Sequence, residues 1–211
     1  MNRRPASLRI GLDFDNTIIC YDGVFRAAAI ARGLLPGDFV GGKQQVRDAV
    51  RLLAGGELNW QRLQGHVYGK GLEQAEPFVG LHAFLGEAKQ RGDEVFIVSH
   101  KTEHGHFDPD KVNLRDAARS WMAAQGFFTP EGAAIKPANV FFALTRAEKL
   151  ARIAAIGCDV FIDDLEEVLD DPDFPAATRR VLFAQAADAG VRPYQICDDW
   201  RGVAEAVFHA G

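Results

Sequence analysis

Four aspartates and a serine stand where short apolar runs end. Asp13 and Asp15 close SLRIGLDFD and are followed by Asn16 and Thr17; Ser99 closes DEVFIVS and leads into His100, Lys101 and Thr102; Asp163 and Asp164 close DVFID. In a parallel sheet, ligands sit beyond the carboxyl ends of the strands, because loops and helix N-termini converge there. Four carboxylates at one sheet end repel one another unless a cation offsets them. Oxygen-only ligation suits Mg²⁺, which takes few carboxylates, keeps several waters and binds a substrate phosphate. The expected metal ligands are therefore Asp13, Asp15, Asp163 and Asp164. Taken singly each reads first as an ordinary solvated turn acid; the set is what points to magnesium.

Lys149 adds an independent clue. Thr145 and Glu148 have the spacing of a capping box, so a helix should start at Thr145 and carry Lys149 in its first turn. The helix dipole opposes a cation there. Such a lysine is expected to face a carboxylate and a phosphate, in a site role and not a stability role; a lysine bending into solvent is the plain alternative. Lys136 is a rival for the same role, but the following Pro137 and its place before a strand put it in a loop on the opposite edge.

The elements that must position these groups are legible as a rhythm. Runs rich in Val, Ile and Phe at residues 7–15, 93–99, 139–143, 159–163, 180–184 and 194–198 alternate with longer helical patterns, as βαβ units do. The expected architecture is α/β, a Rossmann-like doubly wound and mainly parallel sheet. Two helical stripes, Leu114, Ala117, Ala118, Trp121 and Met122, and then Leu150, Ile153 and Ala154, should each cover a sheet face. Residues 21–76 break the rhythm, with helices expected over 24–34, 43–54 and 58–68, glycine-bearing joints and no strand. This is expected to be a helical insertion after the first strand, although one of these helices could instead be the first crossover helix. The division that follows is a core of residues 1–20 and 78–211 and a helical cap of residues 21–77.

Composition narrows the function. The 211 residues make one domain, or one domain with an insertion, at roughly 150 residues per domain. Apolar residues are 47% and charged residues 25%, which excludes a disordered or fibrous chain. The net charge of −5 argues against a broad basic nucleic-acid face. The acidity is local: residues 163–173 hold seven acids and no base, leaving 24 basic and 22 acidic residues elsewhere. Cys20, Cys158 and Cys197 are too scattered for a disulfide framework or a zinc site, which suggests a reduced cytoplasmic setting. Asp13 and Asp15 interrupt the N-terminal apolar run too soon for a signal-peptide core, and no window approaches the roughly 20 apolar residues of a membrane helix. Neither a nucleic acid nor a membrane is expected as partner.

Four motifs, LRIGLDFDNTII, VFIVSHKT, Lys149 and DVFIDDLEEVL, in this order and at strand ends, span residues 8–169. Together they resemble the haloacid dehalogenase superfamily of phosphohydrolases. The resemblance implies a Rossmann-like core, and the helical insertion is similar to that family's first-position cap. It also implies that Asp13 is the nucleophile, forming an aspartyl phosphate, that Asp15 is the general acid and base, and that Asp163 is the metal-binding acid. Such chemistry is sensible, since a carboxylate can attack phosphorus at neutral pH and split one hard displacement into two. Mg²⁺ and Lys149 would neutralise the phosphoryl oxygens, Ser99 and the amides after Asp13 would hydrogen-bond them, and Thr17 and His100 would complete the substrate contacts. Asp164 or Glu167 could orient a metal-bound water. A halide leaves without a proton, so Asp15 favours phosphate esters over dehalogenation, and DFDNT departs from the DKTGT of ion-pumping relatives.

The expected function is a Mg²⁺-dependent phosphomonoester hydrolase acting on a small phosphorylated metabolite. A phosphotransferase or phosphomutase shares every motif, and a regulatory protein retaining the fold is a third possibility, opposed by the intact set. Residues 21–77 carry seven basic and six acidic residues and so indicate no particular substrate; oligomeric state is equally unreadable. His100, His104 and His106 lack the spacing of a zinc site and read as a polar loop. Asp108, Asp110 and Asn113 only faintly resemble a calcium loop, lacking its glycine and closing glutamate. Trp60, His66 and Tyr68 read as a packed aromatic cluster before a lid over a substrate ring.

Overall fold

The computed structural model describes residues 7–105, 110–184 and 192–209. Its centre is a six-stranded parallel sheet of β1 (Arg9–Leu12), β4 (Glu94–His100), β5 (Val140–Ala143), β6 (Val160–Asp163), β7 (Arg179–Phe183) and β8 (Gln195–Cys197), in the order β5-β4-β1-β6-β7-β8. Each coincides with one of the six apolar runs. Two further strands, β2 (Ile19–Cys20) and β3 (Glu76–Pro77), form a separate two-stranded sheet that the hydrophobic pattern does not reveal, because two residues carry no period.

Register matters more than strand count. Leu12 of β1 lies opposite both Ile97 of β4 and Ile162 of β6, so Asp13, Ser99 and Asp163 leave three adjacent strands within two residues of one another. The Asp13 amide extends the ladder by donating to the Ile162 carbonyl at 2.9 Å. Since β1 sits between the strands reached in opposite directions, this is where the strand order reverses and where open α/β sheets place ligands.

Helices flank the sheet. Helix α6 (Arg146–Ile156) buries Leu150, Ile153 and Ile156 against Val98, Phe161 and Leu182 from three strands. Burying each such side chain contributes about 1.5–3 kcal/mol. Helix α4 (Leu81–Arg91) packs on β4 and on α8 (Trp200–Ala204), while the short α7 (Glu166–Leu169) follows β6.

The chain divides into two compact units, one of residues 1–18, 77–100 and 126–211 and one of residues 19–76 and 101–125. The second contains α1 (Asp22–Ala31), α2 (Lys43–Arg51) and α3 (Gly56–Tyr68), close to the three helices expected, and also α5 (Leu114–Ala124). Phe25 stacks on Trp60 at 4.8 Å, and Tyr68 meets Tyr21 and Phe25 edge-on at 5.0 and 5.6 Å, so Trp60 and Tyr68 are in a packed aromatic cluster, as expected, but one built around Tyr21 and Phe25 and not around His66. Helix α5 departs from expectation. Its stripe of Leu114, Ala118, Trp121 and Met122 is buried, and the helix groups with the second unit, whereas the sequence reading expects it to cover the sheet. The buried Trp121 indole donates to the Ala75 carbonyl at 2.7 Å, beside the 3₁₀ turn Lys70–Gln74. Periodicity specifies a buried face without naming what covers it.

Candidate active site

The loop after β1 is built to present carboxylates. Asp13 is fixed by its amide bond to β6; the chain then turns through Asn16, at a left-handed φ of 59°, and closes where Ile18 N donates to Phe14 O at 3.1 Å. Asn tolerates that conformation better than most residues. Phe14 and Thr17 point into the core, Asp13 is 5% exposed, and Asp15 is half-buried.

Lys149 stands between two of the aspartates. Its Nζ donates to Asp13 Oδ1 and to Asp163 Oδ2, each at 2.6 Å. Thr145 caps α6 by accepting from Glu148 N at 3.1 Å, so Lys149 occupies the first turn as its sequence position requires. Glu148 in turn accepts from Leu144 N at 2.7 Å. The ammonium also lies 5.5 Å from the Phe161 ring, which fills the space above Gly11; a Cβ on Gly11 would lie 2.4 Å from that ring. The lysine is 1% exposed. It is thus a structural counter-ion as well as a candidate catalytic group, where the dipole argument assigned it to the site alone.

Electrostatics follow from burial. The Asp13 carboxyl is raised to about 7, chiefly by burial, with Lys149 opposing the rise and the charges of Asp163 and Asp15 adding to it. Burial alone would lower the Lys149 pKa, but Asp13 and Asp163 outweigh it and raise it above the ordinary lysine value. Asp163 is fixed on its other oxygen, where Leu165 N donates to Oδ1 at 3.1 Å. No sequence pattern announces that backbone contact.

Among the described residues, Asp13, Asp163 and Asp164 each offer a carboxylate oxygen within 4.8 Å of the others. Three hard oxygen donors so close, two of them buried, fit a divalent cation such as Mg²⁺. Asp15 stands outside that group, although its charge acts on Asp13. Asp164, and not Glu167, is the further acid in the cluster; Glu167 is exposed, 3.9 Å from Arg146. Ser99 is buried at the end of β4. Thr17 is fully buried, and its Oγ1 has no hydrogen-bond partner among the described residues. His100 is exposed and its Nε2 contacts the Leu144 carbonyl at 2.7 Å, tying the ends of β4 and β5. Lys136 pairs with Glu94 at the amino end of β4, at 2.8 Å, which removes it as a rival to Lys149.

The weaker signals resolve structurally. Asn113 caps α5, Asp110 pairs with Lys70 at 2.8 Å, and His104 lies 3.4 Å from the Val112 carbonyl. His106 and Asp108 lie outside the described residues. The sequence reading missed a cavity of about 430 Å³ in the second unit, lined by one face of α3 (Glu57, Gln61, Gln64, Tyr68) and by Thr102 and Leu114. The helical spacing of those α3 side chains is the signal that was available.

No protein-family model matches the sequence, and no curated protein is significantly similar to it. Solved structures are similar over nearly the whole chain. Protein tyrosine kinase A from Mycobacterium tuberculosis shares 16% identity at a TM-score of 0.58, covering 96% of this chain and 98% of its own. YfnB from Bacillus subtilis, described as a putative HAD-hydrolase and solved bound to magnesium, shares 11% at 0.57, covering 93% and 96%. A protein from Haemophilus somnus, described as a predicted phosphoglycolate phosphatase, shares 14% at 0.52, covering 94% and 97%. At such identities the likeness is one of fold. It agrees with the architecture the motifs imply: the six-stranded parallel sheet flanked by helices is the fold of the haloacid dehalogenase-superfamily hydrolases.

Proposed function

We propose that the protein is a Mg²⁺-dependent phosphomonoester hydrolase that works through an aspartyl phosphate on Asp13. The observation that carries this reading is the convergence of Asp13, Lys149 and Asp163, with Asp164 beside them, at the carboxyl ends of β1 and β6. Attack by the Asp13 carboxylate on phosphorus breaks the ester P–O bond, and Asp15 gives the departing alkoxide its proton. Asp15, now ionised, takes a proton from water as that water attacks the acyl phosphate, releasing inorganic phosphate and restoring Asp13. Lys149 holds Asp13 in one rotamer and offsets phosphoryl charge. Asp13, Asp163 and Asp164 would hold Mg²⁺, which supplies electrostatic neutralisation of the phosphoryl oxygens. Asp15 is left to the proton, which suits its place outside the three-carboxylate group. Ser99 and His100 are assigned to the substrate; Thr17, expected from the sequence to join them, is fully buried with its side chain in the core and is assigned to the shape of the loop instead.

Residues 21–77 are assigned as a cap, and the cavity on α3 is of a size for a small organic molecule. Free thiols at all three cysteines suit a reducing cytoplasm. A phosphotransferase reading is favoured by one observation, the fold shared with a protein described as a tyrosine kinase. In that case an alcohol replaces water in the second step.

The test is phosphate release from a panel of phosphorylated metabolites, with Mg²⁺ and with EDTA, followed by intact-mass analysis of two variants after brief incubation with nitrophenyl phosphate. Nitrophenolate leaves without a proton, so Asp15→Asn should accumulate one phosphate adduct on Asp13 and stall, whereas Asp13→Asn should carry none. An adduct on both, or one mapped to Ser99 or a histidine, overturns the mechanism. Faster turnover on adding an alcohol, with a new phosphoester formed, would select the transferase reading.

A further inference from the structure

We propose that Trp200, on the last helix, is a positioning residue for the nucleophile loop: its indole N–H holds the main chain that carries Asp13 and Asp15. The Nε1 of Trp200 donates to the Thr17 carbonyl at 3.2 Å, a buried bond between residues 183 apart in sequence. Thr17 is the point at which the turn after β1 must be pinned. Upstream, the Asp13 amide is bound to β6; downstream, Phe78 N donates to the Ile18 carbonyl at 3.0 Å. Between these anchors Asn16 takes the left-handed region, which reverses the chain and so fixes the loop's course between them. The Thr17 hydroxyl has no partner among the described residues, so its side chain offers no polar anchor. The carbonyl bond to Trp200 does.

The indole is itself immobilised. Trp200 is 1% exposed and lies between Phe84 at 4.9 Å and Phe183 at 5.4 Å. Asp199 caps α8 by accepting from Gly202 N at 2.7 Å, which fixes where the helix begins. Gly80, at a φ of 91°, leaves room for it: a Cβ there would lie 3.1 Å from Trp200 Cβ. A rigid donor on a rigid helix end therefore sets the height of the loop. Displacing a reacting group by about 1 Å costs on the order of 100-fold in rate. The polar contact of Trp200 is with the loop's main chain, so it acts through the loop.

The functional part of this proposal rests on the phosphoryl-transfer role of Asp13 and Asp15; the anchoring part does not. The experiment compares Trp200→Phe, which removes the N–H, with Phe84→Leu, which damages the same aromatic cluster and keeps it. Stability, kcat and KM on nitrophenyl phosphate with Mg²⁺, and hydrogen exchange of the Asp13 and Ile18 amides are measured for both. Trp200→Phe should lower kcat on the order of 10- to 100-fold with KM within about twofold, and should speed exchange at both amides. Phe84→Leu, at similar or greater loss of stability, should do neither. Equal falls in kcat, or unchanged exchange in Trp200→Phe, overturns the proposal. If Trp200→Phe does not fold, benzothienylalanine at position 200 keeps the shape and removes only the donor. If the wild type does not turn over, the hydrolase reading fails, and the exchange comparison still decides the anchor.

Discussion

Replacing Lys149 by Met tests whether the three-residue ion cluster is as dry as its geometry indicates. Methionine conserves length and volume, so repacking alone should cost under about 1.5 kcal/mol. The electrostatic loss is larger. Two contacts of 2.6 Å disappear, and the Asp13 and Asp163 side chains, 7% and 0% exposed, are left facing each other. Removing one partner of a buried pair costs about 3–5 kcal/mol, mostly as the penalty of the stranded charge. Against a total stability of about 5–15 kcal/mol the variant should fold but be markedly weakened. The assay is urea denaturation in EDTA at pH 8, alone and combined with Asp13→Asn. The single change Asp13→Asn should destabilise the wild type, since it breaks an ion pair, but stabilise the Lys149→Met protein, since it removes one of two repelling carboxylates. The pH dependence has a definite sign. Asp13 has its folded pKa raised, so its favourable contribution is present below the ordinary carboxylate range and is lost as pH rises through about 7. Lys149, also raised, keeps its contribution throughout that range. The gap between wild type and Lys149→Met should therefore widen from pH 5 to pH 8. A cost below about 1 kcal/mol, or Asp13→Asn that still destabilises the variant, would refute a desolvated cluster.

Gly11→Ala should cost about 1–3 kcal/mol, measured as a shift in urea midpoint, because its Cβ would fall 2.4 Å from Phe161 and 2.9 Å from Cys158 Sγ; unchanged stability would mean that the Phe161 ring moves freely. Burial and nearby carboxylates push the Cys158 thiol up to about 12 and the Cys197 thiol up to about 11. At pH 8 the Cys158 thiolate fraction is then on the order of 1 in 10,000. Native protein should therefore resist iodoacetamide at both positions and react in urea, and rapid native labelling at Cys158, read by peptide mass, would contradict that burial.

The sequence by itself determined what is local. Six strands, the helices α1–α3, the Thr145 cap and the carboxylates at strand ends are all readable, because strand and helix periods and cap spacing act over a few residues. Periodicity also found the buried stripe of α5, but its partner in the second unit depends on where the Trp121 indole finds an acceptor, 46 residues back at Ala75. The choice of Asp164 over Glu167 required the turn after β6, where one acid faces the cluster and the other faces water. Lys149 was found through a local conflict, a cation against a helix dipole. That it is wholly buried and shared equally by Asp13 and Asp163 follows only from the register of β1 with β6. The Trp200 contact with Thr17 has no sequence signal at all, since a backbone carbonyl has no residue type and 183 residues separate the partners. Identity and spacing name the groups able to do chemistry; the packing of distant segments decides which are dry, which are paired and which are held still.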